Sequence, residues 1–376
     1  MIKGVDLQIL FGPGVPIPAP REIVDALQSA NVQLNSGDVQ SGFDMTFSLE
    51  KNSPLNTIFL IAGGTALPVL RVALVATMNG QATSLINGVV TKTELSPGSG
   101  KNPSTLKVFG KDLTAVMKII DFSGLIPYPA MPPFVRVNLI LAKYAFLGVI
   151  PQVIPSAEGP PLPTERIPRH QDKDYDYIQR LAEEAGYVFF MKPGPAAATS
   201  YAYWGPEIRI GEVQPALTGE SGVATNVEEL NFNFDKEGTA LPIVYIQNAL
   251  TKAPIPIPIP SSIPFHPPLG ALPPLPPEIK HLKETARLNP MEAIVRGLSY
   301  AARHSDAVSG SGTLDVLRYG RILKAYSLVA VRGASDAFDG THYVQSVTHH
   351  ISRGSYKQSF VLKRSGLLPT QAMVPV

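Results

Sequence analysis

Cysteine is absent from all 376 residues. Disulfides and thiolate metal sites are therefore excluded, and the redox compartment stays open. Charge is scarce: only 16% of residues are charged, against a usual share of about 25%. A surface so poor in charge points to a chain largely covered in an assembly. The net charge of +2 implies neither a nucleic-acid partner nor an acidic ligand. Long hydrophobic runs are missing too. The most apolar one, residues 137–150, contains Asn138 and Lys143 and falls short of the ~20 residues that span a bilayer. The first ten residues, MIKGVDLQIL, carry Asp6 and Gln8 in too short an apolar stretch for a signal peptide. A protein without a membrane span, not exported by a secretory pathway, is expected. The motifs GxSxG, HExxH, GxxxxGK[ST] and a strand-to-helix GxGxxG are absent as well. No catalytic residue, cofactor site or metal site is assigned.

What is present reads as mainly β with α connectors, an α+β class. Phe43, Met45, Phe47 and Leu49 alternate with Asp44, Thr46, Ser48 and Glu50, and residues 5–11 alternate similarly, which predicts half-buried strands. Pro20 opens a short helix. Residues 71–78 and 83–95 read as strands around an Asn79-Gly80 turn, with Asn87-Gly88 a bulge or turn. Residues 104–109 form a strand, Gly110 breaks it, and a helix covers 111–117. Helix is predicted over 137–146, and strand over 149–154. In DKDYDYIQRLAEEAGYVFFMKPG, residues 172–194, Asp172 and Asp174 are helix starters whose carboxylates accept free backbone N–H groups. Tyr177, Ile178, Leu181, Ala182 and Ala185 make one apolar stripe, Gly186 ends the helix, and residues 187–191 pair as a hairpin with 201–204. Residues 227–235 and 321–331 are strands, 308–312 a turn, and 290–303 a helix. A hairpin joins 340–351 to 356–364 through Arg353-Gly354-Ser355. Residues 254–277 hold eleven of the 37 prolines. Proline lacks an N–H and has a fixed φ, so this stretch reads as polyproline II, reaching roughly 75 Å at ~3.1 Å per residue. It is a linker or an arm lying on a neighbouring subunit. The chain divides into 1–122 (β), 123–172 (Pro-rich, helical connector), 173–252 (helix–strand unit), 253–278 (extended arm) and 279–376 (β, ending in the hairpin).

Three stretches resemble one family. DYDYIQRLAEEAGY (174–187), INGVVTKTE (86–94) with STLKVFGKDLTAVM (104–117), and GTHYVQSVTHHISRGSYKQSFVLKR (340–364) are similar, in this order, to motifs of the late-control D family. These are hubs of contractile-tail baseplates, related to the hub part of type VI secretion spike proteins. The resemblance implies that 1–122 and 279–376 are two tail-tube-like β-barrels, the first open to completion by a strand from 225–250. It further implies a pseudo-hexameric homotrimer joining a six-fold inner tube to a three-fold spike around a channel. The implied partners are the tube or tube-initiator protein, a separate spike and surrounding baseplate proteins, in a virion tail or injection particle assembled in the host cytoplasm. The family's C-terminal barrel, β-helical needle and lysozyme-like insertion do not occur in the sequence, so on this resemblance the spike is a separate chain. The helix at 174–185 is then structural.

Two other classes compete. Glu183 or Glu184 would serve a tail-associated peptidoglycan hydrolase, but adjacent helical residues point about 100° apart and do not form a carboxylate pair. Tyr201, Tyr203 and Trp204 would serve a carbohydrate-binding tail module, against the plainer reading of Trp204 as packing. His342 and His350 share one face of a strand and His349 the other, which suits a sheet surface better than a metal site.

Overall fold

A computed structural model describes residues 4–37, 39–49, 53, 55, 69–98, 103–156, 159–161, 163–164, 167–219, 222, 225–248, 250–251, 253–259, 267–276, 278–282, 285 and 290–370. The N-terminal part runs β1 (Val5–Pro13), β2 (Ile17–Pro18), α1 (Arg21–Ala26), β3 (Leu27–Asn35), β4 (Gly42–Leu49), β5 (Leu70–Met78), β6 (Gln81–Ser96) and β7 (Ser104–Asp112). A connector follows: a 3-10 turn (Leu113–Lys118), α2 (Pro133–Ala142), a second 3-10 turn (Ala145–Leu147), β8 (Val149–Val153), α3 (Asp174–Ala185), β9 (Val188–Pro193) and β10 (Ser200–Gly205). Next come β11 (Val213–Thr218), β12 (Val227–Phe234), β13 (Ala240–Gln247), β14 (Pro254–Pro258), β15 (Gly270–Leu272) and β16 (Glu278–His281). The chain then continues through α4 (Pro290–Arg303), β17 (Val308–Asp315), α5 (Val316–Tyr319), β18 (Leu328–Arg332), β19 (Gly340–Ser352), β20 (Ser355–Arg364) and β21 (Leu367–Pro369).

Thirteen strands form one sheet, ordered β12-β17-β20-β19-β3-β4-β7-β6-β5-β1-β2, with β18 and β11 attached beside β19. Two halves, antiparallel except for the parallel β11–β18 pair, thus join edge to edge at β3 and β19. Seven residue pairs, from Ser346↔Asn35 to Ser352↔Ser29, make this seam. Among the described residues the path is open-ended, and no ladder closes either half into a barrel. The strand expected to complete the first half instead extends the second: β12 pairs with β17, while β13 pairs with β14 and β16. A single core runs beneath both halves, from Ile9, Val32, Met45, Phe47 and Leu74 to Val344, Val347, Phe360 and Leu362. The alternation in β4 explains its side: Phe43, Met45, Phe47 and Leu49 are buried and the residues between them half-exposed. The connector has its own core, built from Val137, Ile140, Leu141, Ile178, Leu181 and Trp204.

Local chemistry sets several boundaries differently from the sequence pattern. Residues 308–312 are not a turn but the start of β17. Their small residues let other groups close in: a Cβ on Gly310 would lie 2.6 Å from the Phe232 ring, and one on Gly312 would lie 2.2 Å from the Glu229 carbonyl. Strand β7 passes through Gly110 to Asp112, whose carboxylate caps a 3-10 turn, not an α-helix, by accepting from Thr114 N. The bulges of β6 fall at Leu85 and Thr91, on either side of Asn87-Gly88. The helix predicted over 137–146 begins earlier, at Pro133, and yields to a 3-10 turn. The strand predicted over 321–331 is only Leu328–Arg332.

The proline-rich stretch is not one extended arm. Residues 260–266 and 277 lie outside the described residues, but β14 folds back on β13 as an edge strand and β15 pairs with β21. Pro254, Pro256 and Pro258 alternate with Ile255 and Ile257. Successive N–H groups of a strand point to opposite sides, so the isoleucines face the β13 ladder and the outer edge of β14 carries no donor.

Candidate functional site

Five buried polar clusters fix how the halves and the connector meet. The first sits where β19 changes partner. Along one edge, β19 pairs with β18 from Gly340 to Tyr343 and with β3 from Ser346 onward. Gln345 is the extra residue between Val344 and Ser346. Its carbonyl accepts from both Ser36 N and Ser36 Oγ, each at 3.0 Å. The bulge changes the phase of the alternation. Val344 faces Leu362 and Val347 faces Phe360, all buried on one side. His342 and His349 therefore share the buried face, and exposed His350 points away, to Asn31 Oδ1 and Ser359 Oγ. This corrects the pairing of His342 with His350 that strict alternation predicts. Burial pushes both buried imidazoles down to about 3, with the Arg364 charge adding to the effect at His342 and His350 at His349.

The second cluster lies under the connector. Asp174 does not cap α3: its side chain is fully buried, and no side chain caps that helix. Instead its carboxylate accepts from Lys143 Nζ at 2.8 Å and from Tyr144 Oη at 2.6 Å. His170 Nε2 lies 3.2 Å from the same carboxylate, out of line for a hydrogen bond, while Nδ1 is 2.8 Å from Tyr128 Oη. Burial lowers the His170 pKa despite Asp174, and it raises that of the Tyr144 hydroxyl, which the carboxylate raises further. Arg136 donates to Tyr177 Oη at 2.8 Å. An Asp–His–Tyr set can move protons in principle, but the Asp174 and His170 side chains have no exposed surface. What it does here is tie α2, α3 and the 121–128 and 167–173 segments together. At the far end of α3, Gly186 takes φ +76, and a Cβ there would lie 2.6 Å from that of Ser299 in α4.

The remaining clusters are arginines. Arg71, the one charged residue of β5, donates to Asn87 Oδ1 at 3.0 Å and to the carbonyls of Gly14, Leu147 and Ala198. It thereby locks the sheet to the connector. Arg209 makes a two-pronged pair with Asp306, a bond of 3.0 Å to Glu207, and lies 5.1 Å from the Tyr343 ring centre. Burial opposes its charge, but Asp306 and Glu207 outweigh that and raise its pKa. Arg364, fully buried, holds the carbonyls of Ala337, Phe338, Asp339 and Gly366. Burial lowers its pKa to about 10.

The competing candidates are not brought together. Glu183 and Glu184 are exposed, with no catalytic partner facing them among the described contacts; the Glu183 carbonyl accepts from Ser299 and Arg303. Trp204 is fully buried, edge-on to Tyr187, and donates to the Ile178 carbonyl. Tyr203 is buried on Pro206 O and Tyr201 half-buried, so no aromatic platform faces solvent. Among the described residues no group of three His, Asp or Glu is placed to hold a metal, and no helix is long and apolar enough to cross a membrane. Sequence reasoning missed Lys143, His170, Arg71, Arg209 and Arg364. Only Arg71 carries a signal, a lone charge within LRVALVATM.

No protein-family model matches this sequence, and no curated protein matches it either. Solved structures do match. A tail protein from Neisseria meningitidis MC58 aligns over 97% of this chain and 98% of its own, with a TM-score of 0.63 at 12% identity. The 43 kDa tail protein of prophage MuSo2 from Shewanella oneidensis aligns over 96% and 100%, with a TM-score of 0.59 at 14% identity. A component of the E. coli type VI secretion system, similar in structure to T4 bacteriophage tail proteins, aligns over 93% and 78%, with a TM-score of 0.51 at 13% identity. The chain has the mainly β fold of these tail and secretion-system proteins.

Proposed function

We propose that this protein is a structural baseplate hub of a contractile phage tail or of a phage-tail-like injection system, joining a six-fold inner tube to a three-fold spike around a channel. The observation that carries this reading is the β3–β19 seam. One chain presents two half-sheets joined edge to edge by seven residue pairs, within a fold shared along its length with two tail proteins. Two tube-like units per chain, 1–122 and 279–376, give six around a ring of three copies. Barrel closure, which no ladder among the described residues of one chain supplies, is then completed between copies. The buried Asp174, His170 and Arg364 side chains suit a structural role, since each ties separate segments of the fold together. The partners are the tube or its initiator, a separate spike and surrounding baseplate proteins.

Light scattering tests the reading. A mass of three times 40.3 kDa, alone or on mixing with the tube or spike protein, is expected. A monomer under every one of these conditions removes the symmetry-adaptor role.

A further inference from the structure

The alternating prolines play no part in the proposed hub. Among the described residues, β14 is the last strand of the small sheet, beside β13. Two backbone bonds flank its ladder, from Asn248 N to the Ala253 carbonyl and from Ile259 N to the Pro242 carbonyl. They fix the phase: Ile255 and Ile257 turn their backbone groups to β13, and Pro254, Pro256 and Pro258 turn theirs outward. Three carbonyls therefore stand on the outer edge, and a ring carbon sits wherever a donor would be. An incoming strand would meet acceptors only, and its own carbonyls would press on the rings. The same arrangement recurs at β2, one end of the large sheet. Ile17 pairs with Phe11, and Ala19 N donates to the Ile9 carbonyl at 2.8 Å. Pro18, between them, has its nitrogen on the outer side.

Both edges lack the other usual protections. An edge strand is commonly shielded by charge, by a bulge or by a covering segment. No Asp, Glu, Lys or Arg lies between Asp6 and Arg21, or between Lys252 and Glu278. The ladders of β2 and β14 run without a bulge. Nor are the edges covered: Pro18, Pro254, Pro256 and Pro258 are exposed, and Ile17 and Ile255 are 64% and 45% exposed. An uncharged, exposed apolar edge is a template for pairing with another chain. Strand β12, at the other end of the large sheet, has the opposite make-up. It holds no proline, and Glu228 and Glu229 are exposed on it. Proline thus stands where charge is missing.

We propose that the outward prolines of β14 and β2 are assembly guards, which bar these two edges from taking a strand of another copy of the chain. The guard does not depend on the hub reading, and the failure of either leaves the other standing. Sedimentation velocity of the full chain tests it. Pro254→Thr/Pro256→Thr restores two outward donors to β14, and Pro18→Thr restores one to β2. Each variant should associate as its concentration rises. Its weight-average mass should grow about twofold over that of the unmodified chain, as opened edges pair between copies. Pro254→Lys/Pro256→Lys restores the same donors together with charge, so it should keep the unmodified mass. Pro195→Thr, in the turn between β9 and β10, opens no edge and should also keep it. Circular dichroism, unchanged in every variant, separates edge pairing from unfolding. No rise in either threonine variant of the edges would overturn the proposal. So would an equal rise in Pro195→Thr or in the lysine variant, or a rise that comes with loss of the β signal.

Discussion

Asp174 shows how far a residue's role depends on what comes within 3 Å of it. By position it is a helix starter; in the fold it is the shared acceptor of Lys143 and Tyr144. Removing it leaves Tyr144 without its acceptor and Lys143 without its counter-charge. Because the Lys143 side chain is 35% exposed and can turn to water, the loss falls below the usual range for a broken buried pair. Asp174→Ala should cost about 2–3 kcal/mol in urea unfolding, and Glu183→Gln no more than about 0.5 kcal/mol. Titration gives a second test at this scale. His342 and His349, lowered to about 3 in the fold, are neutral in the native state while the unfolded chain takes up protons below about 6.5. Their stabilisation is complete above that pH and is lost as pH falls toward 3. Asp112 works the other way. Burial raises it to about 6, so its contribution is complete below about 3.8 and is lost as pH rises through 6. Between about pH 4 and 6 the two histidines outweigh the one carboxyl, and stability rises with pH. His349→Gln should reduce that slope by one proton, about 1.4 kcal/mol per pH unit. An unchanged slope in denaturation curves across this range would show that His349 titrates normally.

At the scale of elements, the alternation in β4, the stripe on α3, the Gly186 stop and the β19–β20 hairpin were legible because each depends on neighbours a few residues away. The misreadings arose where a distant group decides. Gly310 and Gly312 look like a turn until Phe232 and Phe360 press against that strand. A single bulge reassigns the faces of three histidines, and no local property of Gln345 announces it. The buried arginines were invisible for the same reason: their partners are mostly backbone carbonyls and carboxylates far along the chain, as with Arg209 and Asp306 or Arg71 and Ala198. The glycine strand gives a direct test. Gly312→Ala drives a Cβ onto the Glu229 carbonyl, which is backbone and cannot swing aside. A loss of about 3 kcal/mol is expected from the shift in urea midpoint; a loss under about 0.5 kcal/mol would mean that β12 and β17 are not paired in this register.

For the whole molecule, the sequence reads the two β-rich ends as separate units, 1–122 and 279–376. They share one sheet and one core, so neither half keeps its buried edge if the other opens. Calorimetry should find them melting together, with van 't Hoff and calorimetric enthalpies of that transition equal; two resolved sheet transitions would show that the seam is weak. The Gln345 bulge has a further consequence. At the switch its carbonyl holds Ser36, a contact that any residue's backbone can make, yet the position itself has to exist. Without it, His342, Tyr343 and Val344 would turn inside out relative to Val347, His349 and Ile351. At this point the chain keeps a tally rather than a chemistry, and a lineage that exchanges every letter around it still has to preserve the count.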